Sequence, residues 1–473
     1  MIRFFRKESL GNVLLLGIIL CLIRLPVALG QEAALNPVLH WLALAERMAG
    51  GGIPYAELWD DTSPFSALVY WFLYVCFGKS IWPYHFFGSL LLLVQALWWS
   101  RLLNQNRIFE ERTQIPALLY VLAGNLFFDF QVLSPVLLAN TFLMLSISHI
   151  FSHINENIQR PQVFEVGLYM GIATMFYMPY FIFLGLPVLA FLLFTGTKPR
   201  DYLLLVFSFL LPVSILSVLY LLLDAEQAFI EKAVFSMWVL PELYYVDFLS
   251  LLLLALLPAL WLLISFFRLL QQTRYINYQI RCQQVLFLAL IFAGASFFFQ
   301  SFISGFSLMV FLPMFSAFVA HLFLLLRRAW LGELIFVIFF LPLALVPLAL
   351  QQSWIPIQYQ YISTEKLFAK PTTVKKVYLE NKKVWTSASD LGVYRVGSPA
   401  TAYLNARYLQ LHLEKANQYR VLSEMYTFWM QQMPDTVIDT KGLVPQLFAQ
   451  IPALALRYEQ VGEGLYVRKQ EQP

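Results

Sequence analysis

The stretch MAGGGIPYAELWDDTSP, residues 48–64, lies between the first membrane-length apolar segment and the next one. Its three consecutive glycines, Gly50 to Gly52, interrupt any preceding helix because glycine lacks the Cβ that restricts a backbone. Carboxylates then follow at close spacing: Glu57, Asp60 and Asp61. Pro64 stands where the apolar sequence resumes. The pattern predicts either a chemical site at a membrane surface or a solvated acidic loop.

The composition of the chain is that of a polytopic membrane protein. Of the 473 residues, 59% are hydrophobic and only 13% are charged, whereas soluble domains carry about 25% charged residues. The first apolar segment has no small-residue cleavage site, so we expect a retained anchor and not a cleaved signal peptide. No cysteine–histidine cluster has metal-ligand spacing. We therefore assign no metal; a divalent cation stays open but has no support in the sequence.

Apolar segments near spanning length follow one another through residues 1–350. A spanning helix needs roughly 20 apolar residues, and the candidates are 10–29, 65–78, 81–100, 115–130, 132–152, 163–178, 179–195, 202–223, 247–270, 284–300, 304–326 and 330–350. Lys and Arg clusters place the N-terminus in the cytoplasm and the C-terminal region outside. Because opposite sides require an odd number of crossings, we predict a polytopic α-helical protein with roughly 11 or 13 transmembrane helices.

The first loop on the outer side, residues 30–64, begins with a helix-like pattern. In NPVLHWLALAERM, residues 36–48, apolar residues recur at three- and four-residue spacing. This spacing predicts an amphipathic helix that lies in the membrane interface. The single histidines on such segments, His40 among them, are expected to be packed or interfacial and not metal ligands.

Residues 351–473 are polar enough to form a folded domain outside the membrane, on the periplasmic side in a bacterium. Strand-like and helix-like patterns alternate there, which predicts a small α/β domain. No glycine-rich nucleotide-binding motif is present. The expected elements are strands within Lys383–Val396 with a break at Ser389-Asp390, a helix over Leu409–Met433, and strands at Asp435–Thr440 and Gly464–Arg468.

The run from Gly52 to Pro64, GIPYAELWDDTSP, resembles the first outer loop of the GT-C superfamily of glycosyltransferases. There, an amphipathic helix and a glycine-rich break precede a Pro-Tyr-x-acid-x-aromatic-Asp pattern and a proline before the next apolar helix. The C-terminal runs TAYLN (401–405), PDTVID (434–439) and GLYVR (464–468) are also similar to the tail of that family. The resemblance implies a GT-C-like integral membrane enzyme that uses a polyprenyl-phosphate-linked sugar, with inversion at the transferred hexose or pentose.

Such a transfer needs a carboxylate that orients or deprotonates the acceptor. It also needs cationic or hydrogen-bonding groups that receive the leaving phosphate. The resemblance implies base candidates in the acidic stretch and just after the first apolar segment: Asp60, Asp61, Glu57 and Glu32. The alternative is a solvated loop in which an aspartate caps the helix that begins near Pro64.

Four further residues are candidates for substrate binding: Tyr55, Asp129, Arg24 and Arg47. Asp129 lies where two apolar segments meet, and ionisable residues at membrane depth are costly and often functional; the alternative is an interfacial turn. Arg24, inside the first apolar segment, either meets a lipid phosphate through its guanidinium or extends to the interface. Arg47 could have the same role from the amphipathic helix.

These observations leave three functions open. The first is a membrane glycosyltransferase of a bacterial inner membrane, whose partners are a polyprenyl-linked sugar, membrane lipid and a glycan, lipid or protein acceptor, with no nucleic acid. The second is a non-catalytic GT-C-like scaffold or accessory subunit of envelope assembly or secretion, favoured by Gln31-Glu32 where active relatives carry an acidic pair. The third is a transporter, which lacks support because matched broken helices are not evident in two halves of the sequence.

Overall fold

The structure, a computed structural model, describes residues 2–29, 34–155, 160–234, 243–271, 275–300, 302–326, 330–338, 366–370, 372 and 374–469. Internal contacts divide the chain into two units. The helical unit comprises Met1–Ala33, Trp82–Leu219 and Met237–Thr364, and the mixed unit comprises Ala34–Ile81, Tyr220–Ser236 and Glu365–Pro473. The predicted domain boundary at residue 350 falls among residues that the structure does not describe.

Helices account for most of the described chain. In chain order they are α1 Ile2–Phe5, α2 Leu10–Leu29, α3 Asn36–Ala49, α4 Pro64–Phe77, α5 Trp82–Gln105, α6 Ile115–Ala123, α7 Pro135–Asn155, α8 Arg160–Phe176, α9 Gly185–Phe194, α10 Pro199–Leu222, α11 Glu226–Phe229, α12 Phe248–Leu270, α13 Asn277–Ser296, α14 Leu312–Leu325, α15 Ala406–Glu414, α16 Tyr419–Gln431, α17 Leu443–Gln450 and α18 Pro452–Ala455.

Within the described residues, 6 helical segments are long and apolar enough to cross a membrane: Trp82–Gln105, Pro135–Asn155, Pro199–Leu222, Phe248–Leu270, Asn277–Phe299 and Gly305–Leu325. Shorter apolar helices span Leu10–Pro26, Pro64–Phe77, Gln162–Phe176 and Met178–Phe194. The prediction of a multi-pass α-helical membrane protein is confirmed. The exact number of crossings stays a prediction, and the candidate segment 330–350 lies largely outside the described residues.

Helices α8 and α10 approach each other closely through two glycines spaced four apart. A Cβ on Gly167 would lie 2.4 Å from the carbonyl oxygen of Leu205, and a Cβ on Gly171 would lie 2.3 Å from that of Phe209. Small residues at this spacing let helix backbones pack closely inside membranes, where the hydrophobic effect does not drive helices together.

The mixed unit contains a five-stranded sheet in the order β4-β3-β5-β7-β6. Its strands are β3 Lys383–Thr386, β4 Ser398–Pro399, β5 Thr436–Ile438, β6 Tyr458–Gly462 and β7 Leu465–Arg468; a separate pair, β1 Leu243–Tyr244 and β2 Phe302–Ile303, belongs to the helical unit. β3 pairs in parallel with β4 and β5, and β7 pairs antiparallel with β5 and β6. The strands predicted at 435–440 and 464–468 are confirmed.

Two local predictions for this region need correction. Lys383–Thr386 is a strand, but the second run predicted as strand forms a 3-10 helix, Gly392–Arg395. Ser389-Asp390 starts this turn because an Asp390 carboxylate oxygen accepts the Gly392 N–H at 3.0 Å, a local bond that competes with strand pairing. The single helix predicted over 409–433 is two helices, α15 and α16, separated at residues 415–418.

The core of the mixed unit is built from aromatic and aliphatic side chains on the sheet and on the helices of the C-terminal region. Trp385 and Trp429 are fully buried and meet edge to face, with ring centroids 5.4 Å apart. Trp59 belongs to the same cluster although it comes from the acidic stretch near the start of the chain. The first loop and the C-terminal region therefore fold as one unit.

Candidate active site

The acidic loop, residues 50–63, follows α3 and ends where α4 begins. Tyr55 has a φ of +65°, a left-handed conformation that is uncommon for a residue with a side chain and persists only when its surroundings fix it. Its backbone N–H donates to the Leu58 carbonyl at 2.8 Å, and its hydroxyl donates to the Thr62 carbonyl at 2.5 Å. Tyr55 is 1% exposed. It therefore closes the loop from within, and its role in substrate binding stays a prediction.

Trp59 anchors the loop to the C-terminal part of the mixed unit. Its backbone N–H donates to the Ala402 carbonyl at 2.7 Å. Its indole packs edge to face against His412, with ring centroids 4.1 Å apart, and against Phe428 at 5.3 Å. Burial of the whole indole makes this contact a large hydrophobic contribution. The position of the next two residues, Asp60 and Asp61, is thereby fixed.

Asp60 is buried and makes two short polar contacts. One carboxylate oxygen accepts the Thr62 N–H at 2.6 Å, and the other lies 2.6 Å from His40 Nε2. Burial alone would lower the pKa of His40, but the Asp60 charge and hydrogen bond outweigh burial and raise it above 6.5. Burial alone would raise the pKa of Asp60, but His40 and Thr62 together lower it below 3.8. His40 and Asp60 therefore both carry a charge in weakly acidic solution.

Asp61 completes a group of three polar side chains at this point. One ligand atom from each of His40, Asp60 and Asp61 lies within 4.8 Å of the others. Asp61 is half-buried, in contrast to the buried Asp60. Imidazole nitrogen and carboxylate oxygens are donors that suit divalent metal ions. A cation bound here would compete with the His40–Asp60 bond, because metal-bound imidazole must be unprotonated.

The other acidic residue of the loop has a local structural role. Glu57 is exposed, and its carboxylate accepts the Ile53 N–H at 3.1 Å across the turn. The alternative interpretation of the sequence supposed that an aspartate caps α4. Asp60 does not do so, because its side chain bonds Thr62 and His40. The residue before α4 is Ser63, which makes no side-chain capping bond.

Arg47 is buried in α3 although it lies off the apolar stripe of that helix. Burial lowers its pKa, and the charges of Glu57 and Glu46 oppose this effect. Its role in substrate binding stays a prediction. Glu32, the remaining base candidate, lies outside the described residues.

A lysine from the segment after α10 contacts the acidic loop. Lys232 donates from Nζ to the Tyr55 carbonyl at 2.5 Å, and Nζ lies 3.4 Å from the centre of the Trp59 ring. Burial lowers the pKa of Lys232 to about 7, with Glu231 and Glu424 opposing. An open cleft of about 490 Å³ borders Ala56, Trp59 and Lys232 and gives polar ligands access to the loop from solvent.

Arg24 and Asp129 belong to the helical unit. All five N–H donors of Arg24 are used: they bond Asn125 Oδ1, Ser89 Oγ and the carbonyls of Gln131, Gly124 and Phe130 at 2.7–3.2 Å. Because no donor is left over, a lipid phosphate would have to displace these bonds. The side chain does not extend to an interface either; it is buried and joins α2 to the turn after α6.

Asp129 is likewise held by its neighbours. It is fully buried, and one carboxylate oxygen accepts from the Ser304 hydroxyl at 2.5 Å and from the Phe306 N–H at 2.8 Å. These bonds tie the 3-10 turn Phe128–Gln131 to the 3-10 helix Gly305–Phe311. Its role at a substrate site stays a prediction.

Sequence reasoning missed two residues of the candidate site, His40 and Lys232. His40 stands alone on α3, 20 positions before Asp60, so no spacing connects the two. Lys232 lies farther away still, beyond the helices that follow the loop. The available signal was chemical: a buried carboxylate needs a cationic or hydrogen-bonding partner, and both residues lie on segments that were predicted to be outside the membrane.

Comparison with known proteins supports the fold of this chain. No family profile and no curated protein matches the sequence. A structure comparison matches ArnT from Cupriavidus metallidurans, in a crystal structure bound to undecaprenyl phosphate. The TM-score is 0.54, the sequence identity is 12%, and the match covers 97% of this chain and 98% of that one. The chain therefore has an ArnT-like fold, and the fold that the sequence resemblance predicted is confirmed.

Proposed function

We propose that this chain is a membrane glycosyltransferase that transfers a sugar from a polyprenyl-linked donor to an envelope acceptor at the periplasmic face of a bacterial inner membrane. The observation that carries the proposal is the group formed by His40 on α3 with Asp60 and Asp61 on the acidic loop. It combines a polar, partly accessible carboxylate with a fixed cationic partner, in a chain whose fold is similar to that of ArnT.

The roles of the three residues follow from their exposure. Asp61 is half-buried and is the carboxylate that an acceptor reaches, so we assign it as the general base. It takes the proton of the acceptor hydroxyl as that oxygen attacks the anomeric carbon of the sugar. The bond from this carbon to the polyprenyl phosphate oxygen breaks, and the phosphate leaves with the electron pair. Asp60 and His40 position Asp61, and the protonated imidazole offsets negative charge at the site.

A place for a short stretch of lipid chain is also available within the helical unit. A cavity of about 180 Å³ has almost no polar lining. Its walls come from α6, α12, α14 and the turns beside them, and include Ala123, Leu126, Phe130, Pro258, Leu262 and Phe315. Such a lining suits an isoprenoid chain because burial of apolar surface is favourable and no polar group is left unsatisfied.

One observation favours the alternative, a non-catalytic scaffold or accessory subunit. Both oxygens of Asp60 are committed to protein partners, and Tyr55 and Trp59 are built into the interior of the mixed unit. In a scaffold, the acidic loop only holds the segment from α3 to α4 against the C-terminal region, and no carboxylate acts as a base.

The experiment that separates the two functions is mass analysis of envelope glycans and lipid-linked sugars in a strain that lacks the protein. A glycosyltransferase predicts the loss of one sugar from an envelope glycan and accumulation of its polyprenyl-linked donor. An accessory subunit predicts that all donors and sugar linkages remain, even if assembly of the envelope is impaired. The same comparison identifies the sugar and the acceptor.

A further inference from the structure

The contacts of Lys232 must compensate for the free-energy cost of burying its ammonium group. The side chain belongs to the short π-helical segment Ile230–Val234 and is 9% exposed. Removing an ammonium group from water is unfavourable, which is the reason that its pKa falls to about 7. A buried lysine is therefore retained only where its contacts compensate for lost hydration.

Those contacts converge on the acidic loop. The Nζ atom donates to the carbonyl of Tyr55 at 2.5 Å and lies over the ring of Trp59 at 3.4 Å from its centre. The Lys232 ammonium group therefore contacts loop residues on both sides of Glu57. A cation over the face of an indole is among the stronger interactions of this kind, and it strengthens when water is excluded.

The segment that carries Lys232 supports the same loop through aromatic packing. The Tyr55 ring lies 5.8 Å from the Tyr220 ring and 5.7 Å from the Phe229 ring, and the last two stack at 4.7 Å. Tyr55 is also the residue with the left-handed backbone. Such a conformation needs several contacts to fix it, and the segment from Tyr220 to Lys232 supplies them.

We propose that Lys232 is a positioning residue that holds the acidic loop in the conformation in which Asp60 meets His40. It bonds the Tyr55 carbonyl and covers the Trp59 ring, and Asp60 directly follows Trp59. Because these contacts are with the Tyr55 carbonyl and the Trp59 ring, Lys232 acts on Asp60 through the backbone of the loop. Its effect on sugar transfer rests on the proposed function; its effect on the loop does not.

The titratable and charged neighbours of Lys232 lie on three elements. Glu231 lies on its own segment and Glu424 on α16, and both favour the ammonium form. Arg420, on the same helix, is bonded to Glu424 at 2.9 Å. Burial lowers the pKa of His412, on α15, to about 4, with Lys232 adding to this effect, so His412 is neutral when Lys232 titrates.

Hydrogen exchange of the full chain in detergent, read at residues 50–63, tests the inference. Lys232→Met keeps the apolar stem but removes the charge and the donor, and we expect exchange roughly tenfold faster, as loss of a charged hydrogen bond and a cation–π contact implies. Lys232→Arg keeps both and should retain protection. Lys382→Met, at an exposed lysine of the same unit, is the matched control and should match wild type. Equal protection in Lys232→Met and wild type would overturn the inference.

The outcome for sugar transfer is read separately. If Lys232→Met loosens the loop and lowers glycan product, while Lys232→Arg restores both, the positioning role extends to the reaction. If the loop loosens but no strain, including one with Asp61→Asn, alters any glycan, the proposed function fails and the positioning role stands. If glycan product falls without faster exchange at the loop, the positioning role is wrong.

Discussion

His40 Nε2 lies 2.6 Å from a carboxylate oxygen of Asp60; the Asp60 side chain is buried and that of His40 is 12% exposed. This contact joins α3 to the acidic loop and brings Asp61 beside a cation. A buried ion pair adds little net stability compared with apolar packing, but removing one partner leaves a buried charge without compensation. The pair therefore makes the position of the loop sensitive to either residue.

The first prediction concerns the pH range in which this pair stabilises the fold. The pKa of His40 is raised, so its contribution is complete below its ordinary pKa of 6.5 and is lost as pH rises through the raised value. The pKa of Asp60 is lowered, so its contribution is complete above 3.8 and is lost as pH falls through the lowered value. The window of full contribution is therefore pH 3.8 to 6.5.

In this window, His40→Leu should lower the free energy of unfolding by roughly 3–5 kcal/mol, because Asp60 loses its partner. Thermal melting of the detergent-solubilised protein at pH 5.5 and pH 9 would show a larger difference from wild type at pH 5.5. His40→Gln, which keeps a donor but cannot become charged, should lose less. A His40→Leu deficit that is the same at both pH values would count against the charged pair.

The second prediction concerns the contact between Gly305 and the turn that holds Asp129. A Cβ at Gly305 would lie 2.4 Å from the Phe127 ring and 2.6 Å from Asp129 Oδ1. Gly305→Ala should therefore destabilise the protein by about 1–3 kcal/mol, as overpacking does.

The matched control is Gly294→Ala on α13, where a Cβ meets nothing within 4 Å. Alanine is favoured over glycine within a helix by about 1 kcal/mol, so this variant should melt at or above the wild-type temperature. Equal melting temperatures for the two alanine variants would show that the close packing at Gly305 is absent.

The third prediction separates structural from ligand-binding roles for Arg24. Lys has three donors and lacks the planar fork, so Arg24→Lys cannot replace four bonds to the turn after α6 and one to Ser89 on α5. We expect a fall in unfolding free energy of roughly 2 kcal/mol or more from the carbonyls left unpaired. Affinity for undecaprenyl phosphate, measured well below the melting temperature, should change by less than about threefold. A large loss of affinity with unchanged melting would instead assign Arg24 to the lipid phosphate.

Features set by local sequence were predictable. The apolar segments follow from length and hydropathy, which the bilayer constrains strongly. α3 follows from periodicity and is ended by Gly50 to Gly52. The strands at 436–438 and 465–468 are bounded by Pro434 and by Gly464, so their turns were visible in the sequence.

Features set by contacts between distant residues were not predictable. The acidic loop takes its path because Trp59 enters a core made by residues beyond position 385, and a single sequence carries no signal for that contact. Arg24 was expected to meet a lipid phosphate or extend to the interface, but its partners are two side chains and three backbone carbonyls that only the folded chain places together. The same holds for Lys232, whose partner is the carbonyl of Tyr55.

The most direct test of the central proposal is mass analysis of envelope glycans and lipid-linked sugars in cells that carry Asp61→Asn. This variant keeps the size of the side chain and removes its ability to accept a proton. Glu459→Gln, at an exposed position on β6, serves as the control, and both proteins must reach the wild-type level in the membrane. Asp61→Asn should reproduce the loss of a sugar that is expected in cells without the protein, whereas Glu459→Gln should not. A wild-type glycan profile in Asp61→Asn would contradict the proposed function.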